Sequence, residues 1–173
     1  MIVDPSVISR ADRTAIDPAL ALLPRPMDTP KARRLLIACG LQESRLTMRR
    51  QIVNGGGFGP AASWWQIEQP TVRLILNNPA SRFWAHALCE ARNCPMSSSG
   101  VWERIQTDDV LAAGMARLLM FCDPWPLPTE QDEAWGWYAH RVWRPGKPHP
   151  GTWPACWKAA SDYIASTYGA QQA

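Results

Sequence analysis

The chain has 173 residues, a formal charge of +3 and 46% hydrophobic residues, enough for one ordinary domain with a real core and too few for two full ones. Charged residues make up 19%, below the roughly 25% of an average soluble protein, while Trp occurs 10 times and Pro 16 times, which excludes a disordered chain and a coiled coil. The basic excess comes from 15 Arg against 3 Lys, scattered among Asp and Glu, so a dedicated nucleic-acid binder is not indicated and a polyanionic cell-surface partner is allowed.

No stretch approaches the roughly 20 apolar residues of a membrane span; the best candidate, Leu111 to Cys122, is short and contains Arg117. The expectation is therefore no membrane insertion. The first 20 residues carry Asp4, Asp12 and Asp17 and no apolar h-region, so no secretory signal peptide is read there. Five cysteines, Cys39, Cys89, Cys94, Cys122 and Cys156, are an odd number without a CxxC pair, which speaks against a zinc site or a disulfide framework. Cys39, Cys122 and Cys156 fall on apolar helical faces and read as packing. Cys89 and Cys94 are close enough in sequence for a local bridge in an oxidising compartment, and His86 beside them for a metal, but neither is the preferred reading. No metal and no cofactor is expected.

In chain order, residues 1–27 carry short apolar patches between Pro5, Pro18, Pro24 and Pro26 and read as a partly helical arm folded onto the body. From Asp28 the run DTPKARRLLIACGLQESRL, with Asp28 or Thr29 as cap and Pro30 in the first turn, predicts a helix with Leu35, Leu36, Cys39 and Leu46 on its apolar side. A second helix is predicted after Asn78-Pro79, with Phe83, Trp84, Ala87, Leu88 and Ala91 as a buried stripe. The third follows Thr107, Asp108 and Asp109 and places Leu111, Gly114, Met115, Leu118, Leu119 and Cys122 on one face, as a central core helix would. Thr129 is read as the cap of EQDEAWGWYAHRVW, and Trp153, Cys156, Trp157, Ala160 and Ile164 mark a C-terminal helix. Loops are expected at Asn54 to Pro60, Asn93 to Gly100, Asp123 to Pro128 and Arg144 to Gly151, and strand-like alternation is nearly absent. The fold class is mostly α, one helical domain over 28–173 with the arm 1–27 laid on it.

Glu43 lies seven residues after Leu36 and four after Cys39, so it shares the apolar face of its helix. A carboxyl group there is partly desolvated, its charged form is disfavoured, and its pKa rises toward the range useful for donating a proton. The competing reading is a helix-end Glu paired with Arg45 or Arg49.

The segment LQESRLTMRRQIVNGGGFGPAASWWQIEQPTV adds to this. Glu43-Ser44 closes a helix, Pro60-Ala61-Ala62-Ser63-Trp64-Trp65-Gln66 follows a Gly-rich loop, and Pro70-Thr71 comes next; Tyr138 lies downstream of the core helix, and Trp135 to Pro148 contains W-x-x-Y and WRPGKP. In their order these pieces resemble the goose-type lysozyme and soluble lytic transglycosylase superfamily, and most closely a phage-encoded branch of it, over residues 30 to about 160. Ser63 and Pro60 stand where the family motif has glycines, and Ala139 where it has Asn.

The resemblance implies a lysozyme-like helical domain with a substrate cleft and an enzyme that cleaves the β-1,4 bond between N-acetylmuramic acid and N-acetylglucosamine in peptidoglycan. Glu43 would be catalytic, acid and then base, with the substrate's acetamido group stabilising C1. Ser44, Gln66, Tyr138 and Trp65 are expected at the substrate. Trp64 and Trp65 offer a flat face to a sugar, or else are core. Arg45, Arg49 and Arg50 either meet the acidic peptide stems of peptidoglycan or form a solvated face, and WRPGKPHPG reads as a rigid rim to the cleft. A two-carboxylate glycosidase needs a second acid roughly 5 to 9.5 Å away; Glu68, Asp108 and Asp109 are weak candidates, which fits a single-acid mechanism. The expected partners are glycan strands of peptidoglycan and phage tail or other virion proteins, and the expected place of action is the bacterial cell wall after synthesis in the host cytoplasm. The competing reading is a virion structural component that keeps the fold without activity.

Overall fold

Asp4, Thr29, Ser97 and Asp108 each precede a helix and accept a hydrogen bond from an amide of its first turn, at 2.9 Å from Ser6, 3.1 Å from Ala32, 3.1 Å from Gly100 and 2.9 Å from Leu111. Such caps satisfy donors that the helix itself leaves open and so punctuate the chain. In the computed structural model, which describes residues 3–53 and 55–169, they separate a mostly helical architecture. Helices α1 (Pro5–Ala11) and α2 (Asp17–Ala21) are joined by a wide helical turn, Asp12–Ile16, and followed by α3 (Pro30–Ser44). A short antiparallel hairpin comes next, β1 (Arg50–Ile52) with β2 (Phe58–Ala62), pairing Arg50 with Ala62 and Ile52 with Phe58. Then come α4 (Gln69–Asn77), α5 (Arg82–Ala91), α6 (Ser98–Arg104), α7 (Asp109–Phe121), α8 (Gln131–Gly136) and α9 (Trp153–Tyr168).

Helix α7 is buried on every side from Leu111 to Met120 and touches the Asp12–Ile16 turn, α2, α3, α4 and α5, as a helix apolar all round must. The one charge in that buried stretch, Arg117, donates from Nε to the Met27 carbonyl at 2.8 Å. Helix α3 packs chiefly on α9, and the two are tied by the buried guanidinium of Arg33. That group bonds Asp12, Asp17, Asp28 and the Tyr168 hydroxyl, while Tyr163 and Tyr168 also donate to Asp12. The expected arm 1–27 is, over its described part, inside this core: Ile8, Ala11, Ala15, Ile16, Ala19, Leu20, Leu23 and Met27 belong to the same cluster as α3 and α7.

Several local expectations are corrected. The hairpin replaces part of the loop expected over 54–60, because three- and five-residue strands around a Gly-rich turn are too short to show alternation. Helices α4 and α6 were not anticipated, and α6 begins inside the loop expected at Asn93 to Gly100. On α5 the buried face is Ala85, Leu88 and Cys89, while Phe83 is 68% exposed and stacks edge-on against Trp84. Thr129 does not cap α8 through its side chain; its amide instead donates to the Glu133 carboxylate at 3.3 Å. All five cysteines are free thiols, Cys122 half-buried and the rest buried.

The hairpin is latched to α6. The Arg50 guanidinium lies 4.5 Å from the Phe58 ring centre and 5.5 Å from that of Trp102 and bonds Gln106, while Trp102 Nε1 donates to the Pro60 carbonyl at 2.8 Å. Beyond this latch Ile52 and Phe58 are exposed. Arg50→Ala is expected to speed amide hydrogen exchange in β1 and β2 while leaving α3 and α7 unchanged; equal acceleration throughout would show that the hairpin does not open as a separate unit.

Candidate active site

Glu43 occupies the last turn of α3, and the chain reverses directly after it. Arg45 and Leu46 both take left-handed backbone angles (φ 57° and 55°), returning their amides to the Leu41 and Gly40 carbonyls. Leu46 thereby folds back over Gly40, where any Cβ would overlap its side chain. The reversal leaves the Glu43 carboxyl half-buried at the floor of an open cleft of about 950 Å³. Gln42, Glu43, Gln66, Glu68, Tyr138 and Trp143 line it together with the rim 144–149, and its volume lies at the upper end for ligand pockets.

Tyr138 reaches Glu43 from a wide helical turn, Trp137–Val142, that continues α8. Its ring stacks on Trp153 at 5.1 Å and is flanked by Trp135 and Trp143, and its hydroxyl donates to Glu43 Oε1 at 2.7 Å. An aromatic box thus fixes the phenol and strips water from the carboxyl group. Burial pushes the Glu43 pKa from an ordinary 4.5 up to about 7, the Tyr138 hydrogen bond pulls it back, and the Glu68 charge adds to the rise. Burial and the neighbouring Glu43 charge raise Tyr138 beyond the tyrosine range, so it remains a neutral donor. Burial thus brings the Glu43 pKa toward neutral pH, the range that suits a group that gives a proton and takes one back.

The raised pKa has a cost in stability. Between pH 4.5 and about 7 the folded chain holds a proton on Glu43 that the unfolded chain has lost, so stability falls as pH rises through that window, by about 3 kcal/mol when complete. Glu43→Gln, which keeps the shape without the charge, is expected to raise the unfolding free energy at pH 8 and change it little at pH 4; urea titrations at the two pH values measure the difference.

The other expected site residues divide. Gln66 lines the cleft in a left-handed conformation (φ 48°), its amide nitrogen donating to the Ser63 carbonyl at 2.7 Å and reaching the Met48 carbonyl at 3.4 Å. Ser44 is buried beneath the site and donates to the Trp64 carbonyl at 2.7 Å, which makes it a tie between α3 and the motif loop with no surface for a ligand. Trp65 is likewise sealed, at 0% exposure, with Nε1 bonded to the Leu36 carbonyl, so its ring offers no face to a sugar. Trp64 is core as well. Ser63 has φ 69°, in the left-handed region where glycine is unstrained. Glu68 shares the cleft; Asp108 and Asp109 lie elsewhere, bonded to Arg92 and Arg49. Arg49 and Arg50 are thereby occupied outside the cleft.

Sequence reasoning missed Gln42. It lines the cleft beside Glu43, donates to the His149 carbonyl at 2.9 Å and accepts from Thr152 at 3.0 Å, holding the rim to α3. Its position next to Glu43 was the only signal in the sequence. Among the described residues no group of three or more His, Cys, Asp or Glu side chains is arranged to hold a metal, and no helix is long and apolar enough to cross a membrane.

No protein-family model matches this chain, and neither a curated protein nor a solved structure is significantly similar to it.

Proposed function

We propose that the protein is a peptidoglycan-cleaving glycosidase of the lytic transglycosylase or muramidase type, acting on the bond between N-acetylmuramic acid and N-acetylglucosamine. The observation that carries this reading is Glu43, a carboxyl group with a pKa near 7, held by Tyr138 at the floor of a cleft large enough for an extended ligand. The order of the Glu-Ser, Gln66 and Tyr138 motifs supports the same class.

In the proposed mechanism Glu43 protonates the bridging oxygen as the bond to C1 breaks. The substrate's acetamido oxygen stabilises the developing charge at C1. Tyr138 keeps the carboxyl oriented throughout, and small misplacements there cost large factors in rate. Glu43, now a carboxylate, then removes a proton either from the muramoyl 6-hydroxyl, giving a 1,6-anhydro end, or from water, giving a reducing end. Such a chain would be encoded by a phage or prophage and reach the wall in the virion or through a separate membrane pore.

Release of dye from covalently labelled, purified peptidoglycan tests the reading. Release by the wild-type protein and not by Glu43→Gln is expected. Absence of release from both would leave a virion protein without activity as the better description.

A further inference from the structure

The cleft has one wall whose charges the mechanism does not use. Residues 143–149, Trp-Arg-Pro-Gly-Lys-Pro-His, run along it, and Arg144, Lys147 and His149 all line the cleft with exposed side chains. Among the described residues, Arg144 and Lys147 make no ion pair and no side-chain hydrogen bond, whereas Arg33, Arg49, Arg92 and Arg141 are all paired with aspartates. Other arginines, among them Arg25, Arg45, Arg73 and Arg82, also lack an ion pair among the described residues, but none of them lines the cleft; Arg144 and Lys147 are the Arg and Lys side chains on the ligand side.

The wall is also built to stay in place. At its start the Trp143 and Arg144 amides both donate to the Tyr138 carbonyl at 3.1 Å, and Trp143 Nε1 donates to the Trp65 carbonyl at 3.1 Å. At its far end Gln42 holds the His149 carbonyl at 2.9 Å, and the Thr152 hydroxyl lies 2.9 Å from that carbonyl. Pro145, Pro148 and Pro150 restrict the backbone between and beyond these anchors. The same two residues that flank the proton chemistry, Gln42 beside Glu43 and Tyr138, therefore set the backbone that carries the cations.

We propose that this wall is the subsite for the carboxylates carried by the muramoyl side arm of the glycan, with Arg144 and Lys147 as the recognising groups. The proposal rests on the glycan-cleaving reading and gives its specificity: an N-acetylmuramic acid unit differs from N-acetylglucosamine by a lactyl ether that ends in a carboxylate or in an acidic peptide, and the wall supplies the countercharge. Of Arg45, Arg49 and Arg50, read either as meeting the acidic stems or as a solvated face, Arg49 and Arg50 are occupied outside the cleft and Arg45 does not line it. Glu43 and Glu68 are the lining carboxylates; both belong to other segments, and only Glu68 opposes the wall's charge when Glu43 is protonated.

The test is binding by the Glu43→Gln protein, which needs no turnover, to three soluble fragments: peptide-bearing glycan, the same glycan stripped to its lactyl carboxylates by an amidase, and peptide-bearing glycan whose carboxylates have been capped as neutral amides. Binding to the uncapped peptide-bearing fragment is expected to be roughly three- to tenfold tighter than to the capped one at low salt. The margin should shrink as salt rises and vanish when Arg144→Gln and Lys147→Gln are added. If the stripped glycan, whose lactyl carboxylate is free, binds like the peptide-bearing one, whose lactyl carboxyl is an amide, the wall reads a carboxylate from either source; if it binds like the capped one, only the stem carboxylates are read. Equal affinity for capped and uncapped fragments, or a margin untouched by the two substitutions, overturns the proposal while leaving wild-type dye release to stand for the enzyme reading. No binding to any fragment overturns the proposal too, and coupled with no dye release it removes the reading beneath it.

Discussion

Glu43→Gln is expected to lower the rate of glycan cleavage by about 10²- to 10⁴-fold, the usual contribution of a positioned general acid. Glutamine fills the same space and can still accept from Tyr138, so the loss isolates the proton. The pH profile carries the second half of this prediction. Because the acid must be protonated in the free enzyme, kcat/KM should fall as pH rises past about 7, the value to which burial has raised Glu43. Tyr138→Phe removes the one interaction that pulls this pKa down, so the alkaline limb should move to higher pH even as the poorly oriented carboxyl lowers the rate. A limb left in place by Tyr138→Phe would mean that Glu43 does not control it.

Arg33→Ala is expected to be the most damaging single change to stability, costing about 3–5 kcal/mol, because it leaves the carboxylate of Asp12, 2% exposed, buried without its cation. For a chain of this length that lowers the thermal midpoint by roughly 10 °C or more. The three aspartates and two tyrosines around Arg33 join α3, α9, the Asp12–Ile16 turn and the chain ahead of α3, so the loss is felt across the core. Lys158→Ala, which breaks the exposed pair with Asp162, provides the contrast and should change stability by less than about 0.5 kcal/mol. Comparable losses from the two would contradict the assignment of Arg33 as a buried hub.

What the sequence made legible follows from the range of the interactions involved. The helices around Glu43 and Leu111 to Cys122 announce themselves through local caps and long apolar periods, and the structure has both. Helical spacing leaves Glu43 two readings, a carboxyl on the apolar face or a helix-end partner of Arg45 or Arg49; in the structure it is burial that raises its pKa, and Arg49 pairs with Asp109 instead. The hairpin is hidden because its strands are too short to show alternation and because the clamp that holds it, Arg50 to Gln106 and Trp102 to Pro60, joins residues more than 40 positions apart. For Trp65 the sequence leaves a sugar-facing and a core reading open, because it shows that an indole is near Gln66 and not which way it faces; the bond to the Leu36 carbonyl turns it inward. Ser44 is similar, a polar residue whose partner, the Trp64 carbonyl, lies 20 positions ahead. Residues 1–27 read as an arm folded onto the body because their apolar patches are short and broken by prolines; among the described residues Ile8, Ala11, Ile16, Leu20 and Met27 are buried in one cluster with α3 and α7.

Mass spectrometry of the soluble products from purified peptidoglycan, with wild-type protein and Glu43→Gln in parallel, tests the central claim most directly. Disaccharide-peptides from the wild type and none from the variant are the predicted result. Anhydro ends would assign the second proton transfer to the muramoyl 6-hydroxyl, and reducing ends to water, with Glu68 the next carboxylate in the cleft to examine. Products in equal amount from both proteins, or intact glycan from both, would contradict the assignment of Glu43 as the acid and base of a glycan-cleaving site.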